Sequence, residues 1–120
     1  MDDRIVGLLE DIRDNVAYIG EKIAGRTVDD YLTELDLRFI VERALIIIGE
    51  ALAKIRDRDE ATIRRIPDYK PAIGLRNILV HAYKDVDDRQ IWETVIEFLP
   101  LMGLAVERIL AEQDSEERDA

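Results

Sequence analysis

No cysteine occurs among the 120 residues. Disulfides, thiolate zinc sites and cysteine nucleophiles are therefore excluded, and a reducing, cytoplasmic location is expected. Long apolar runs are missing too. The longest, Ala44–Gly49, falls far short of the ~20 residues a membrane helix needs, so no membrane association is expected. The acidic opening Met1-Asp2-Asp3-Arg4 lacks an apolar core and is not expected to act as a secretory signal. There are no strand-type alternations, internal repeats, low-complexity segments or linkers. Histidine is reduced to a single residue, His81. What remains is 48% hydrophobic and 37% charged, too apolar for disorder and too charged for a membrane protein. A chain of this length fits one domain with a real core.

Positive charge is scarce overall, and the net charge is −10. That argues against a general nucleic-acid binder, because phosphate affinity comes largely from lysine and arginine. The charge is unevenly spread. Leu52 to Lys84 holds eight basic and four acidic residues, a local +4 against −14 elsewhere. A basic segment in an acidic chain can attract a phosphate while the remainder limits non-specific binding; a set of solvated helix ends gives the same count.

The apolar spacing is helical from end to end. Ile5, Leu8, Leu9, Ile12, Val16, Ile19 and Ile23 form one stripe on a long first helix that stops at Gly25. Thr27 caps a short helix over about 28–33, with Asp29 and Asp30 in its first turn. A long helix from about Asp36 buries Leu37, Ile40, Val41, Ala44, Leu45, Ile48, Leu52 and Ile55. Ile46 and Ile47 widen its stripe, so this helix is expected to be covered on two sides, by the core and a partner or by the core alone. Gly49 in its middle implies close helix packing. Residues 57–72 are turn-like, and Pro71 suits the first turn of a helix through 72–79. Asp87 or Asp88 caps a last helix that Pro100 should kink. The expected fold is all-α, an up-and-down bundle of four to five helices over 1–110, with an acidic tail, 111–120, that frays.

Chemistry concentrates in Arg76-Asn77-Ile78-Leu79-Val80-His81-Ala82-Tyr83. Histidine can give or take a proton near neutral pH. Arginine stays charged and grips phosphate bidentately. Asparagine can orient either, and a tyrosine hydroxyl can hydrogen-bond or be modified. One histidine per chain cannot serve as both a histidine acid and a histidine base, whereas a two-fold dimer supplies two. On an unbroken helix Arg76 and His81 stand five residues, hence ~140°, apart. Either the helix ends before His81, or Arg76 of one chain meets His81 of another. Bland readings exist beside these: Arg76 as a helix arginine paired with Asp85 or Asp88, Trp92 as a packing aromatic, and Asp87-Asp88 as helix caps rather than a metal pair.

The pattern Arg-x-x-x-x-His-x-Tyr, with Asn after the Arg, resembles the signature of the HEPN superfamily and its HepT-like branch. Glu42 to Ala51, the lead-in Gly74-Leu75, and Asp87 through Pro100 resemble the branch's helical context, and the similarity spans roughly Met1 to Leu110. The resemblance implies a metal-independent, cofactor-free endoribonuclease, the toxin of a type VII-like toxin–antitoxin system, acting on RNA as a homodimer. By position it implies that Arg76 and His81 are catalytic and that Asn77 supports them. Tyr83 would accept AMP from a minimal nucleotidyltransferase antitoxin, which silences the toxin. The alternative is a non-catalytic helical module that docks the nucleotidyltransferase and can bind its nucleotide.

Overall fold

Two layers of antiparallel helices account for the 51 × 30 × 19 Å envelope of the computed structural model, which describes residues 1–120. The 19 Å dimension is about two helix diameters. Four long helices alternate in direction: α1 (Asp3–Ile23), α3 (Leu35–Arg58), α5 (Tyr69–His81) and α7 (Leu99–Asp119). Short helices join them: α2 (Val28–Thr33), α4 (Glu60–Ile63) and α6 (Asp88–Glu93). There is no strand, and no helix is long and apolar enough to cross a membrane.

Local chemistry sets the boundaries. Gly25 leaves the helical region with φ +73°, where a Cβ would be strained. Thr27 Oγ1 then accepts from the Asp30 amide while the Asp30 carboxylate accepts from the Thr27 amide, a complete capping box on α2. Asp59 caps α4 by accepting from both the amide and the hydroxyl of Thr62. Of the two candidate caps on the last helix, Asp87 is the cap; its carboxylate accepts from the Arg89 and Gln90 amides.

α3 is the central helix, packed against α1 and α5, while α7 packs on α1. Of the two residues that widen its apolar stripe, Ile46 is half-buried against the core, whereas Ile47 is half-buried without packing on it. Val41, Ile48, Leu52 and Ile55 are buried as expected, whereas Ile40 is only half-buried. The core is one cluster to which α1, α3, α5 and α7 all contribute.

The last helix differs from expectation in kind. Pro100 lies within the first two positions of α7, and its disruption is absorbed upstream by a π-helical turn, Thr94–Phe98, that joins α6 to α7. Proline has no N–H to continue the ladder, and a π turn takes up the mismatch without ending the helix. α7 then runs past Leu110 to Asp119, with Gln113 buried and donating to Glu116, so the helix extends beyond the expected boundary.

Candidate active site

Asp68, in the left-handed region at φ 60°, turns the chain into α5. α5 then continues unbroken through Arg76 to His81 and ends there, where Ala82 leaves the helical region and its amide bonds back to the Ile78 carbonyl. Tyr83–Asp85 forms a single 3₁₀ turn. The helix does not end before His81, so within one chain Arg76 and His81 diverge by about 140°.

Arg76 is pressed against α3. A Cβ built on Gly49 would overlap Arg76 Cβ and lie 2.8 Å from its Cγ, so the glycine is what lets α5 approach at this point. The guanidinium donates through Nη1 to Asn77 Oδ1 at 2.9 Å, and its Nη2 lies 3.6 Å from Glu50 Oε1. Nε is buried with no partner. Its acidic neighbour is therefore Glu50, not Asp85 or Asp88; Asp88 instead stands 3.8 Å from Arg38. Asn77 and His81 are both exposed. The structure brings Arg76 and Asn77 together and leaves His81 apart, facing solvent at the helix end.

Tyr83 sits over a buried carboxylate. Its hydroxyl donates to Glu42 Oε1 at 2.7 Å, while half of the residue remains exposed. Glu42 is only 5% exposed, and its Oε2 has no partner. Burial pushes the Glu42 carboxyl above the usual glutamate range, against the opposing effect of the Tyr83 hydrogen bond. The bond to Glu42, followed by burial, pushes the Tyr83 hydroxyl up to about 12. Arg38 gives two hydrogen bonds to the Tyr31 and Leu32 carbonyls, at 3.1 and 2.8 Å, and so ties α2 to the start of α3. Tyr31 is fully buried against Trp92, ring centroids 5.6 Å apart, with its hydroxyl unpartnered.

Glu42 and Glu50 carry no role in the motif text, yet α3 uses them to hold Tyr83 and Arg76, ~12 Å apart along its axis. The available signal was an acid, Glu42, at a position three before Leu45 and seven before Gly49, on the face that meets α5. Beside this face, α5 and the α6–α7 junction enclose a groove of ≈ 480 Å³ lined by Leu75, Ile78, Ile91, Phe98 and Leu99, with Leu45 and Ile48 as its floor. No cluster of ligating side chains suits a metal ion.

The family model for HepT-like ribonucleases matches residues 12–109. The chain belongs to the HepT-like family. Among curated relatives, the "Probable ribonuclease HepT" of Thermococcus cleftensis is 35% identical over 84% of this chain and 91% of its own length. A protein of Caldanaerobacter subterraneus subsp. tengcongensis is 30% identical over 88% of this chain and 93% of its own. The "tRNA nuclease HepT" of Aphanizomenon flos-aquae is 27% identical over 74% of this chain and 76% of its own. The HepT-like match covers α5 entirely, so Arg76, Asn77, His81 and Tyr83 all lie inside it.

Proposed function

We propose that this chain is an endoribonuclease toxin that cleaves RNA by metal-independent transesterification, with Arg76 and His81 as catalytic residues. The observation that carries the reading is the Arg76–His81 pair on one unbroken helix of a HepT-like chain, the arginine anchored and the histidine free. A base removes the proton of a ribose 2′-hydroxyl, the oxygen attacks phosphorus, and an acid protonates the departing 5′-oxygen. Arg76 offsets the charge that builds on the phosphorane, and Asn77 holds the guanidinium.

The divergence of Arg76 and His81 favours a site shared between two copies of the chain, since a two-fold axis supplies two histidines to one phosphate. Ile78 and Phe98 at the groove, with Leu101 and Leu104 further along α7, are exposed apolar residues available to such a homodimer. Tyr83 is the AMP acceptor for a minimal nucleotidyltransferase antitoxin. Its half-exposed ring two residues from His81 supports this, because a phosphate-bearing adduct there puts negative charge and bulk where an RNA phosphate must enter.

Expression in a bacterial host tests the toxin reading. The wild-type chain should arrest growth, His81→Ala should be harmless at equal abundance, and co-expressed nucleotidyltransferase should relieve the arrest only when Tyr83 is present. Equal toxicity of the His81→Ala chain removes the assigned role.

A further inference from the structure

The Tyr83–Glu42 contact has a chemical consequence of its own. Glu42 projects from α3 into the protein at 5% exposure, and one carboxylate oxygen has no hydrogen bond at all. Burying a carboxylate with a single neutral donor is costly, and an amide or an apolar side chain would fill the position at less cost. The nearby cation does not neutralise it by contact: Arg38 is committed to two backbone carbonyls and faces Asp88 at 3.8 Å. The titratable groups around Glu42 are Tyr83, Asp88, Arg38 and Tyr31. Of these, only the Tyr83 hydroxyl touches the carboxylate, at 2.7 Å.

A tyrosine hydroxyl that must attack phosphorus has to lose its proton as the new bond forms. Tyr83 does not ionise readily near neutral pH, so the proton needs an acceptor within hydrogen-bond reach. Glu42 Oε1 is that acceptor in position, and the rest of the Tyr83 ring is open to a partner from solvent.

We propose that Glu42 is the general base for nucleotidyl transfer onto Tyr83. Tyr83 Oη attacks the α-phosphorus of a nucleoside triphosphate held by the transferase. The O–P bond forms as the bond to pyrophosphate breaks, pyrophosphate leaves, and the hydroxyl proton passes to Glu42 Oε1. The toxin thus supplies one catalytic residue for its own modification. This rests on the reading of Tyr83 as the acceptor and extends it to a residue 41 positions away in the chain.

The test follows transfer from α-labelled ATP to the full-length chain by a co-purified minimal nucleotidyltransferase, with the site mapped by mass spectrometry. Wild type, Glu42→Gln, Glu42→Asp and Tyr83→Phe are compared. Gln keeps an acceptor for the Tyr83 hydroxyl but cannot take its proton. Glu42→Gln should slow labelling by about 100-fold or more, Glu42→Asp should retain part of the rate, and Tyr83→Phe should lose the label. The wild-type rate should rise with pH as Glu42 loses its proton, and the Gln variant should lack that rise. Labelling of Glu42→Gln at or above the wild-type rate overturns the proposal and leaves the acceptor reading intact. Absence of label on wild-type Tyr83 overturns both. If Glu42→Gln does not fold, Glu42→Ala decides, and labelling of that variant at or above the wild-type rate overturns the proposal.

Discussion

Replacing Gly49 by alanine should destabilise the protein even though alanine is the better helix former. In an exposed helix interior the exchange gains about 1 kcal/mol. At Gly49 the added methyl would overlap Arg76 Cβ, fall 2.8 Å from Arg76 Cγ and stand 3.3 Å from the Ala72 carbonyl oxygen. Two of those three neighbours, a Cβ and a carbonyl, are fixed to the α5 backbone and cannot rotate away. Relief requires α5 to shift as a body off α3. Overpacking of this kind costs about 1–3 kcal/mol, and the rigidity of the neighbours places this site in the upper half of that range. The net loss is about 1–2 kcal/mol, which for a domain of this size lowers Tm by about 4–8 °C. Gly20, exposed in α1 with nothing within 4 Å of an added Cβ, is the internal control: Gly20→Ala should be neutral or stabilising by up to about 1 kcal/mol. Urea unfolding followed by helical circular dichroism reads both. Gly49→Ala at or above wild-type stability would show that α5 does not depend on this approach. Because the same shift carries Arg76 away from Glu50, Gly49→Ala should also lower any RNA cleavage while the helix content holds.

Two further outcomes follow from the buried polar cluster. The Glu42 carboxyl is raised in the folded state, so its stabilising contribution is full below the ordinary glutamate value of 4.5 and is lost as pH rises through the folded value. Glu42→Gln should therefore gain stability relative to wild type as pH rises above 4.5, with the two converging at lower pH; a difference that is flat with pH in chemical denaturation would contradict the burial argument. Tyr31→Phe removes a fully buried hydroxyl that has no partner, and should be neutral or stabilising by about 1 kcal/mol in the same assay; a loss above about 1 kcal/mol would mean that the hydroxyl is satisfied in solution.

Local features were legible from the sequence where the physics is local. Each step of the Ile5-to-Ile23 stripe, the Thr27 cap and an aspartate cap at Asp87 or Asp88 depend on residues within four positions of one another, and they appear, with Asp87 as the aspartate that caps. Gly49 announced a close approach, but the residue it admits, Arg76, lies 27 positions on and could be named only from the packed structure. Arg76 had an acid to find, and the candidates near in sequence, Asp85 and Asp88, lost to Glu50 because α5 lies along α3. The Pro100 kink was visible as a disruption, but its form, a π turn over Thr94–Phe98, depends on how α6 and α7 share the core. The motif residues themselves were read directly from Arg76 to Tyr83. Glu42 was not among them, because a buried acid in an apolar stripe gains meaning only when the hydroxyl it meets comes from another helix end.

Cleavage of RNA in the presence of EDTA, by wild type, His81→Ala and Arg76→Ala, tests the central proposal most directly. The wild-type chain, shown by mass to be unmodified at Tyr83, should cleave, and both variants should be inactive with unchanged helix content. No cleavage by the unmodified wild type, or cleavage by His81→Ala at the wild-type rate, would contradict it.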